Sequence, residues 1–220
     1  DPYCRDDLNT LKGMGINLIR LYDWDPRNDH SQFLDYAHAL GIKVVVPISN
    51  WLPQNPGAWD AQIPLYFKFG NYGNSTGTDW HPAVAGVIIS NELDPSDADY
   101  SQAIGLVGRF LQEADKLGFS KSVPVGIPVT FVPRGAPYGP GNKNMPGWNQ
   151  FSKLLTDPRT ASYRDRLMLC PNTYNSKSYL FTDAESTGQG WVQLTWQQFG
   201  VPILFTEIGY SRVKGDYTPN

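Results

Sequence analysis

The 220-residue sequence predicts an α/β fold of the (β/α)8 TIM-barrel type, in a single domain spanning residues 1–220. Short apolar runs alternate with segments of helical periodicity. The runs are apolar almost throughout, as in parallel strands that are covered on both faces. Three helix ends also pass into the next run through a glycine, which suits the left-handed turn that ends a helix. Repeated helix–glycine–strand junctions are typical of α/β folds.

Six strands are predicted, and each is a short run rich in β-branched or other apolar residues. They lie at 16–22, 42–48, 85–90, 123–129, 166–171 and 201–205. A closed barrel of this type has eight strands. The first and last strands of a closed barrel are therefore missing from the predicted set, and we expect an incomplete or open barrel.

Helical patterns lie before and between these strands, at 5–14, 31–40, 100–117 and 190–199. The junction glycines are Gly15, Gly41 and Gly200. Two long polar segments, 50–82 and 130–152, follow strand ends and are predicted to be loops. Barrel enzymes build their active sites from the loops at the carboxyl ends of the strands, so these segments are expected to border a site.

The composition excludes several classes of function. A formal net charge of −3 provides no basic surface for nucleic acid or for an anionic membrane. No apolar run is as long as a membrane-spanning helix, so membrane insertion is not expected. The three histidines lack metal-ligand spacing, and two cysteines are too few for a structural zinc site. We therefore expect neither a metal nor a nucleotide cofactor.

Two glutamates stand at the ends of apolar strands, where an acidic side chain is costly unless it is paired or functional. Glu92 follows the run 87–91, and Glu207 follows the run 202–206. Either one alone could cap a following helix. Together, at the same end of two parallel strands, they predict a pair of catalytic carboxylates.

Paired carboxylates suit the hydrolysis of a glycoside with retention of configuration. One attacks the anomeric carbon and the other protonates the leaving oxygen, from about 5–5.5 Å away. Arg20 is a cation inside an apolar strand and is expected to point into the barrel and contact Glu207, unless it forms a surface salt bridge. Tyr174, just beyond the fifth strand, is a candidate donor to Glu207 or a core residue.

These residues resemble those of the clan A glycoside hydrolases, which pair an Asn-Glu at the end of strand four with a Glu at the end of strand seven. Asn91-Glu92 and Glu207 match that arrangement. The resemblance implies that Glu92 is the general acid/base, that Glu207 is the nucleophile and that Asn91 bonds the sugar 2-hydroxyl. It also assigns supporting roles to Arg20 and Tyr174, with Tyr22 beside them.

Within the clan, the sequence looks most like glycoside hydrolase family 72, the fungal β-1,3-glucanosyltransferases, and shares much with family 17 β-1,3-glucanases. The resemblance is carried by residues 4–12, 15–22 and 207–210. It implies a β-glucan substrate, β-1,3-linked by preference, an extracellular or cell-wall location and a monomer. The cysteine that would pair with Cys4 in family 72 is absent, so Cys4 is expected to be a buried thiol with no disulfide to Cys170.

Further residues are candidates for binding sugar, because a pyranose ring presents an apolar face that suits an aromatic side chain. Asp23 and Asn50 follow strands and are candidates for binding hydroxyls. Four tryptophans in strand-end loops are candidates for stacking, although core packing explains each equally well. They are Trp24, Trp51, Trp59 and Trp80; Trp191 and Trp196 fall in a predicted helix and are expected to be structural.

Two alternatives remain open at the level of sequence. A carbohydrate-binding pseudoenzyme on a degenerate barrel would account for the low strand count. A β-1,4-glucanase or mannanase of the same clan would differ only in its loops, which choose the linkage.

Overall fold

A computed structural model describes residues 2–91, 97–131, 147–184 and 187–209. Within them the strands are β1 (Leu18–Arg20), β2 (Lys43–Ile48), β3 (Val84–Ile89), β4 (Val125–Gly126), β5 (Pro128–Thr130), β6 (Cys170–Thr173) and β7 (Glu207–Ile208). The helices are α1 (Pro2–Gly13), α2 (Ser31–Ala39), α3 (Trp51–Gln54), α4 (Trp59–Tyr66), α5 (Asp97–Lys116), α6 (Trp148–Thr156), α7 (Lys177–Phe181) and α8 (Trp191–Phe199). Short 3-10 helices span Pro56–Ala58 and Ala161–Arg166.

The strands form a curved parallel sheet in sequence order. β1, β2, β3 and β4 pair in parallel, and so do β5, β6 and β7. β4 and β5 are two pieces of one predicted strand, separated by Ile127. Isolated parallel bridges from Val125 to Leu167 and from Leu169 to Ile203 continue the ladder between the two groups. The predicted barrel-type α/β fold is therefore confirmed, with six strand positions in the part of the chain that is described.

Two strand boundaries differ from the prediction. β6 begins at Cys170: a 3-10 helix ends at Arg166, and Leu167 and Leu169 each make only an isolated bridge. The run 201–205 makes one bridge, at Ile203, and Pro202 has no N–H to donate to a ladder. The last strand is therefore Glu207–Ile208, and Glu207 lies within it and not beyond its end.

The four predicted helices are present as α1, α2, α5 and α8. The junction glycines Gly15, Gly41 and Gly200 have φ of 81°, 71° and 62°, as a left-handed helix end requires. The prediction of long polar loops was wrong in part, because α3 and α4 lie within the first segment and α6 begins in the second. These short helices bury Leu52, Ile63 and other apolar side chains against the rest of the domain.

The interior of the barrel is filled by a small cluster of Val45, Ile88, Met168 and Cys170. Glycines on the facing strands make room for it: a Cβ on Gly126 would lie 2.5 Å from Cys170 Sγ, and one on Gly86 would lie 3.0 Å from Met168 Cε. Burial raises the pKa of the Cys170 thiol to about 12, against a smaller lowering effect of Arg20. The cluster closes the barrel beneath the carboxyl ends of the strands.

Cys4 and Cys170 do not form a disulfide, as predicted. Cys170 is fully buried. The expectation that Cys4 is buried was wrong, since it is partly exposed on α1 and lines a surface cavity. Among the described residues, no helix combines the length and the apolar character needed to cross a membrane.

Candidate active site

Arg20 is the last residue of β1, and its side chain points into the barrel, as predicted. Its guanidinium Nη1 donates to the Thr206 carbonyl at 2.7 Å and lies 3.3 Å from Glu207 Oε1. Nη2 donates to Asn91 Oδ1 at 2.6 Å. The side chain is only 11% exposed. One guanidinium thus joins the end of β1, the start of β7 and the segment that follows β3.

The Glu207 carboxylate accepts hydrogen bonds from three side chains. The Arg20 guanidinium and the Tyr22 hydroxyl, at 3.2 Å, share Oε1. The Tyr174 hydroxyl donates to Oε2 at 2.8 Å. The predicted contacts of Arg20 and Tyr174 with Glu207 are therefore present. Because each carboxylate oxygen has a donor, the group is held in one orientation at the mouth of the barrel.

The two tyrosines are held beside this carboxylate by different contacts. The Arg20 guanidinium lies 4.2 Å from the centroid of the Tyr22 ring, which is a cation–π contact. The Tyr174 ring packs over Gly209, where a Cβ would collide with it. Both tyrosines are about half exposed, Tyr22 at 57% and Tyr174 at 51%.

Asn91 occupies the end of β3 in a constrained geometry. Its backbone N–H donates to Asn50 Oδ1 at 2.6 Å, which places the predicted residue Asn50 in the site. The preceding Ser90 has φ of 70°, which is uncommon for a residue with a side chain, and it is buried. Glu92 itself lies outside the described residues. The predicted separation of the Glu92 and Glu207 carboxyl groups therefore stays a prediction.

Comparison with solved structures gives several glycoside hydrolases of similar architecture. A β-1,3-glucanase and allergen of Cryptomeria japonica pollen has a TM-score of 0.61 at 14% identity, over 97% of this chain and 72% of that one. The endo-1,4-β-D-mannanase of Thermotoga petrophila has a TM-score of 0.59 at 13% identity, over 96% and 76%. Saccharomyces cerevisiae Gas2p, in complex with laminaritetraose and laminaripentaose, has a TM-score of 0.55 at 18% identity, over 98% and 45%.

This chain has the TIM-barrel fold of the clan A glycoside hydrolases. At these identities the likeness concerns the fold alone. No protein-family model matches the sequence, and no curated protein is significantly similar to it.

In this TIM barrel, Thr206 fixes the backbone directly before Glu207. Its hydroxyl donates to Asn172 Oδ1 of β6 at 2.6 Å, in a buried bond. Its backbone N–H bonds the Pro171 carbonyl, and its own carbonyl accepts from Arg20. Thr206 and Asn172 could not be predicted from sequence, because only their spatial position beside Glu207 distinguishes them from other polar strand residues.

The TIM-barrel loops place the predicted tryptophans differently from one another. Trp24 is buried, at 4% exposed, and its indole N–H donates to Asn71 Oδ1 at 2.8 Å, which fits the core-packing alternative. The indoles of Trp59 and Trp80 likewise donate to backbone carbonyls, those of Leu52 and Ser120. Trp191 is fully buried, as expected, while Trp51 is 53% and Trp196 is 54% exposed.

Proposed function

We propose that the protein is a retaining β-glycoside hydrolase or transglycosylase that acts on β-glucan, with Glu207 as the nucleophile and Glu92 as the general acid/base. The observation that carries this proposal is the Glu207 carboxylate, which stands at the carboxyl end of a barrel strand and is oriented by Arg20, Tyr22 and Tyr174. Barrel enzymes place their catalytic groups at this end.

The proposed reaction proceeds by two displacements. Glu207 attacks the anomeric carbon and the bond to the leaving oxygen breaks, while Glu92 gives that oxygen a proton. The resulting glycosyl ester on Glu207 is then displaced by water, or by a sugar hydroxyl, which loses its proton to Glu92. The two inversions restore the β configuration. Hydrolysis and transglycosylation differ only in the acceptor.

The position of Glu92 in the chain supports its role. It directly follows Asn91, and neighbouring Cα atoms lie about 3.8 Å apart. The strained backbone of Ser90 precedes this pair, and residues in sparsely populated conformations cluster at functional sites. The amide of Asn91 is also orientated, because the Arg20 guanidinium can only donate and therefore faces Oδ1. Its Nδ2 group is left to donate to a sugar hydroxyl.

The choice of substrate rests on the structural neighbours. One structural neighbour is a β-1,3-glucanase, and another belongs to a pair of plant β-glucan endohydrolases. A third, Gas2p, was solved with laminari-oligosaccharides. These similarities favour a β-1,3-linked glucan and an extracellular or cell-wall location. The mannanase neighbours keep a β-1,4-linked substrate as the alternative. The expected ligand is an oligo- or polysaccharide in either case.

The test is to incubate the protein with laminarin, cellulose and mannan oligosaccharides and to map the products. Glu207→Gln is expected to abolish turnover and to leave the fold intact, because the amide is nearly isosteric but cannot form the glycosyl ester. Asp60→Asn, at an exposed carboxylate on α4 that pairs with Arg109, is the matched control and should retain full activity.

The roles of the two carboxylates are separated with an activated aryl β-glycoside. Glu92→Ala should still form the glycosyl ester, since the aryl group leaves without a proton, and added azide should yield a β-glycosyl azide. An α-configured azide, or full activity of Glu207→Gln, would overturn the assignment. Oligosaccharide binding by the native protein without cleavage of any substrate would identify a pseudoenzyme instead.

A further inference from the structure

The connection from α4 to β3 contains the triplet Asn74-Ser75-Thr76, which is the one Asn-x-Ser/Thr sequence in the 220 residues. Such a triplet is the acceptor motif for an N-linked oligosaccharide when its middle residue is not proline. The motif also occurs in proteins that never carry a glycan, so the surroundings of Asn74 decide what it means here.

The triplet lies at the tip of a small hairpin whose base is fixed. An isolated antiparallel bridge joins Gly73 to Trp80, and the Asn74 backbone N–H donates to the Asp79 carbonyl at 2.7 Å. The Trp80 ring is buried and packs against aromatic side chains of the core. Residues 75 and 76 are exposed. The hairpin therefore presents the triplet to solvent from a rigid base.

Hydrogen bonds within the hairpin fix the orientation of the Asn74 amide. Its Oδ1 accepts the backbone N–H groups of Thr76 at 3.2 Å and Thr78 at 3.1 Å, and the Thr76 hydroxyl at 2.9 Å. A backbone N–H can only donate, so the atom that faces these groups is the oxygen. Nδ2 donates to none of the described residues. A sugar on Nδ2 would therefore replace no hydrogen bond within the part of the chain that is described.

The hairpin lies at the face of the barrel opposite to Glu207. The connection that contains it runs into the start of β3, and the amino ends of the strands form the face away from the active site. The Asp79 carboxylate accepts the N–H of Ser120 at 3.0 Å, and Ser120 precedes β4 in the same way. An oligosaccharide at Asn74 would thus leave the carboxyl ends of the strands uncovered.

We propose that Asn74 is an N-glycosylation site. The donor is an oligosaccharide carried on a lipid diphosphate. A bond forms between Nδ2 and the anomeric carbon of the sugar, and the bond from that carbon to the diphosphate oxygen breaks. The amide gives up one proton to a base of the transferase, and the lipid diphosphate leaves with the electron pair. The site depends on the proposed extracellular location, where secreted chains meet such a donor, and is independent of the reaction at Glu207.

The turn by itself accounts for a side-chain oxygen at position 74, because Asn and Asp both bond the backbone two residues further along the chain. Asn74→Asp therefore separates the two roles. The aspartate keeps an oxygen for the N–H groups of Thr76 and Thr78, and it lacks the nitrogen that accepts the sugar.

The test produces the chain behind a secretion signal in a eukaryotic host and measures its mass before and after treatment with peptide N-glycosidase. We expect the wild type to lose the mass of one oligosaccharide, and peptide mapping should find aspartate at position 74 in the treated protein. Asn74→Asp and Thr76→Ala should each emerge without a glycan. The first lacks the acceptor nitrogen, and the second lacks the hydroxyl that the motif requires.

Thr78→Ala is the matched control for Thr76→Ala. Thr78 is an exposed threonine of the same hairpin, and its hydroxyl bonds that of Thr76 at 2.7 Å, but it lies outside the triplet. This variant should keep the glycan, and so should Ser75→Ala. For any variant that is not secreted, translation in the presence of microsomes measures attachment to the nascent chain without requiring the fold.

The site is overturned if treatment leaves the wild-type mass unchanged, or if Asn74→Asp still carries the glycan. Attachment to a protein that cleaves no glucan would support the site and contradict the proposed function. Cleavage of glucan by a secreted protein without a glycan would support the function and contradict the site.

Discussion

Arg20 illustrates how much one residue does in this site. Its guanidinium is bonded to the backbone carbonyl of Thr206, to a carboxylate and to an amide, and it also packs against the Tyr22 ring. The planar donor fork of arginine matches this set, whereas a lysine ammonium would act as a single point charge. Arg20 and Glu207 could be predicted from sequence because charged residues inside apolar strands are conspicuous.

A second residue, Cys170, sets an alkaline limit on stability. In an unfolded chain the thiol ionises near its ordinary pKa of 9.0, whereas burial keeps it protonated up to about pH 12 in the folded protein. Between pH 9 and about pH 12 the folded state therefore binds more protons than the unfolded state does. Its contribution to stability is complete below pH 9 and is lost progressively as the pH rises toward 12, by at most about 1.4 kcal/mol per pH unit.

The expected measurement is the free energy of unfolding in urea between pH 8 and 10.5. Wild type should lose more stability across this window than Cys170→Ala. Tyr72, a buried tyrosine with a raised pKa, affects both proteins equally and cancels in the difference. Tyr100 does not cancel, because its pKa is raised by burial and also by Cys170. Cys4→Ala serves as the control and should follow wild type. Parallel curves for wild type and Cys170→Ala would contradict the prediction.

At the scale of the elements, the helix–glycine–strand junctions carry a measurable part of the stability. Gly200 ends α8 with φ of 62°, and a Cβ there would meet no atom within 4 Å. Gly200→Ala should therefore cost about 1 kcal/mol, entirely through its backbone conformation. Gly57→Ala is the matched control, because that position is equally open and has no positive φ. It should be neutral or stabilise the fold by up to about 1 kcal/mol, since alanine lowers the entropy of the unfolded chain. Urea unfolding measures the stability of both variants, from the shift in midpoint when the dependence of the unfolding free energy on urea concentration is unchanged. Equal destabilisation by the two substitutions would refute the explanation by backbone conformation.

The elements also show what the sequence could and could not predict. Continuous apolar runs and 3.6-residue periodicity identified the strands and the longer helices. The helices α3 and α4 were missed because prolines, such as Pro53 and Pro64, interrupt the periodicity. The burial of Trp24 was missed because its partner, Asn71, lies 47 residues away in the chain. No local sequence pattern predicts a contact between residues so far apart. The left-handed backbone of Ser90 could not be predicted from a local pattern either.

At the scale of the whole molecule, Arg20 connects the first and last strands of the described sheet. Among the described residues no strand lies between β7 and β1, so the bonds from Arg20 to Thr206 and Glu207 provide a direct link there. The same side chain thus contributes to catalysis, as proposed, and to the closure of the barrel. The two contributions can be separated by mutation.

We predict that Arg20→Met loses both activity and stability, whereas Tyr174→Phe loses activity and keeps its stability. The first removes a largely buried charge from its partners, at a cost of about 3 kcal/mol, or roughly 6–12 °C in Tm for a chain of this size. The second removes one bond from a half-exposed ring, and should lower kcat/KM about 10- to 100-fold. Thermal unfolding and kinetics of both variants provide the check. Equal loss of Tm in the two would show that Arg20 has no role in closure.

Divergence of this sequence is constrained at position 126. A Cβ on Gly126 would lie 2.5 Å from the Cys170 sulfur and 2.7 Å from the Met168 carbonyl oxygen, so a smaller residue at position 170 would not by itself make room for it. Homologous proteins are therefore expected to keep glycine at this position of β4. Because Asn172 lies on the same strand as Cys170 and bonds Thr206 beside Glu207, a larger residue on β4 would displace β6 and, with it, the Glu207 carboxylate. An invariant glycine here would record selection on the proposed active site through a residue that never touches the substrate.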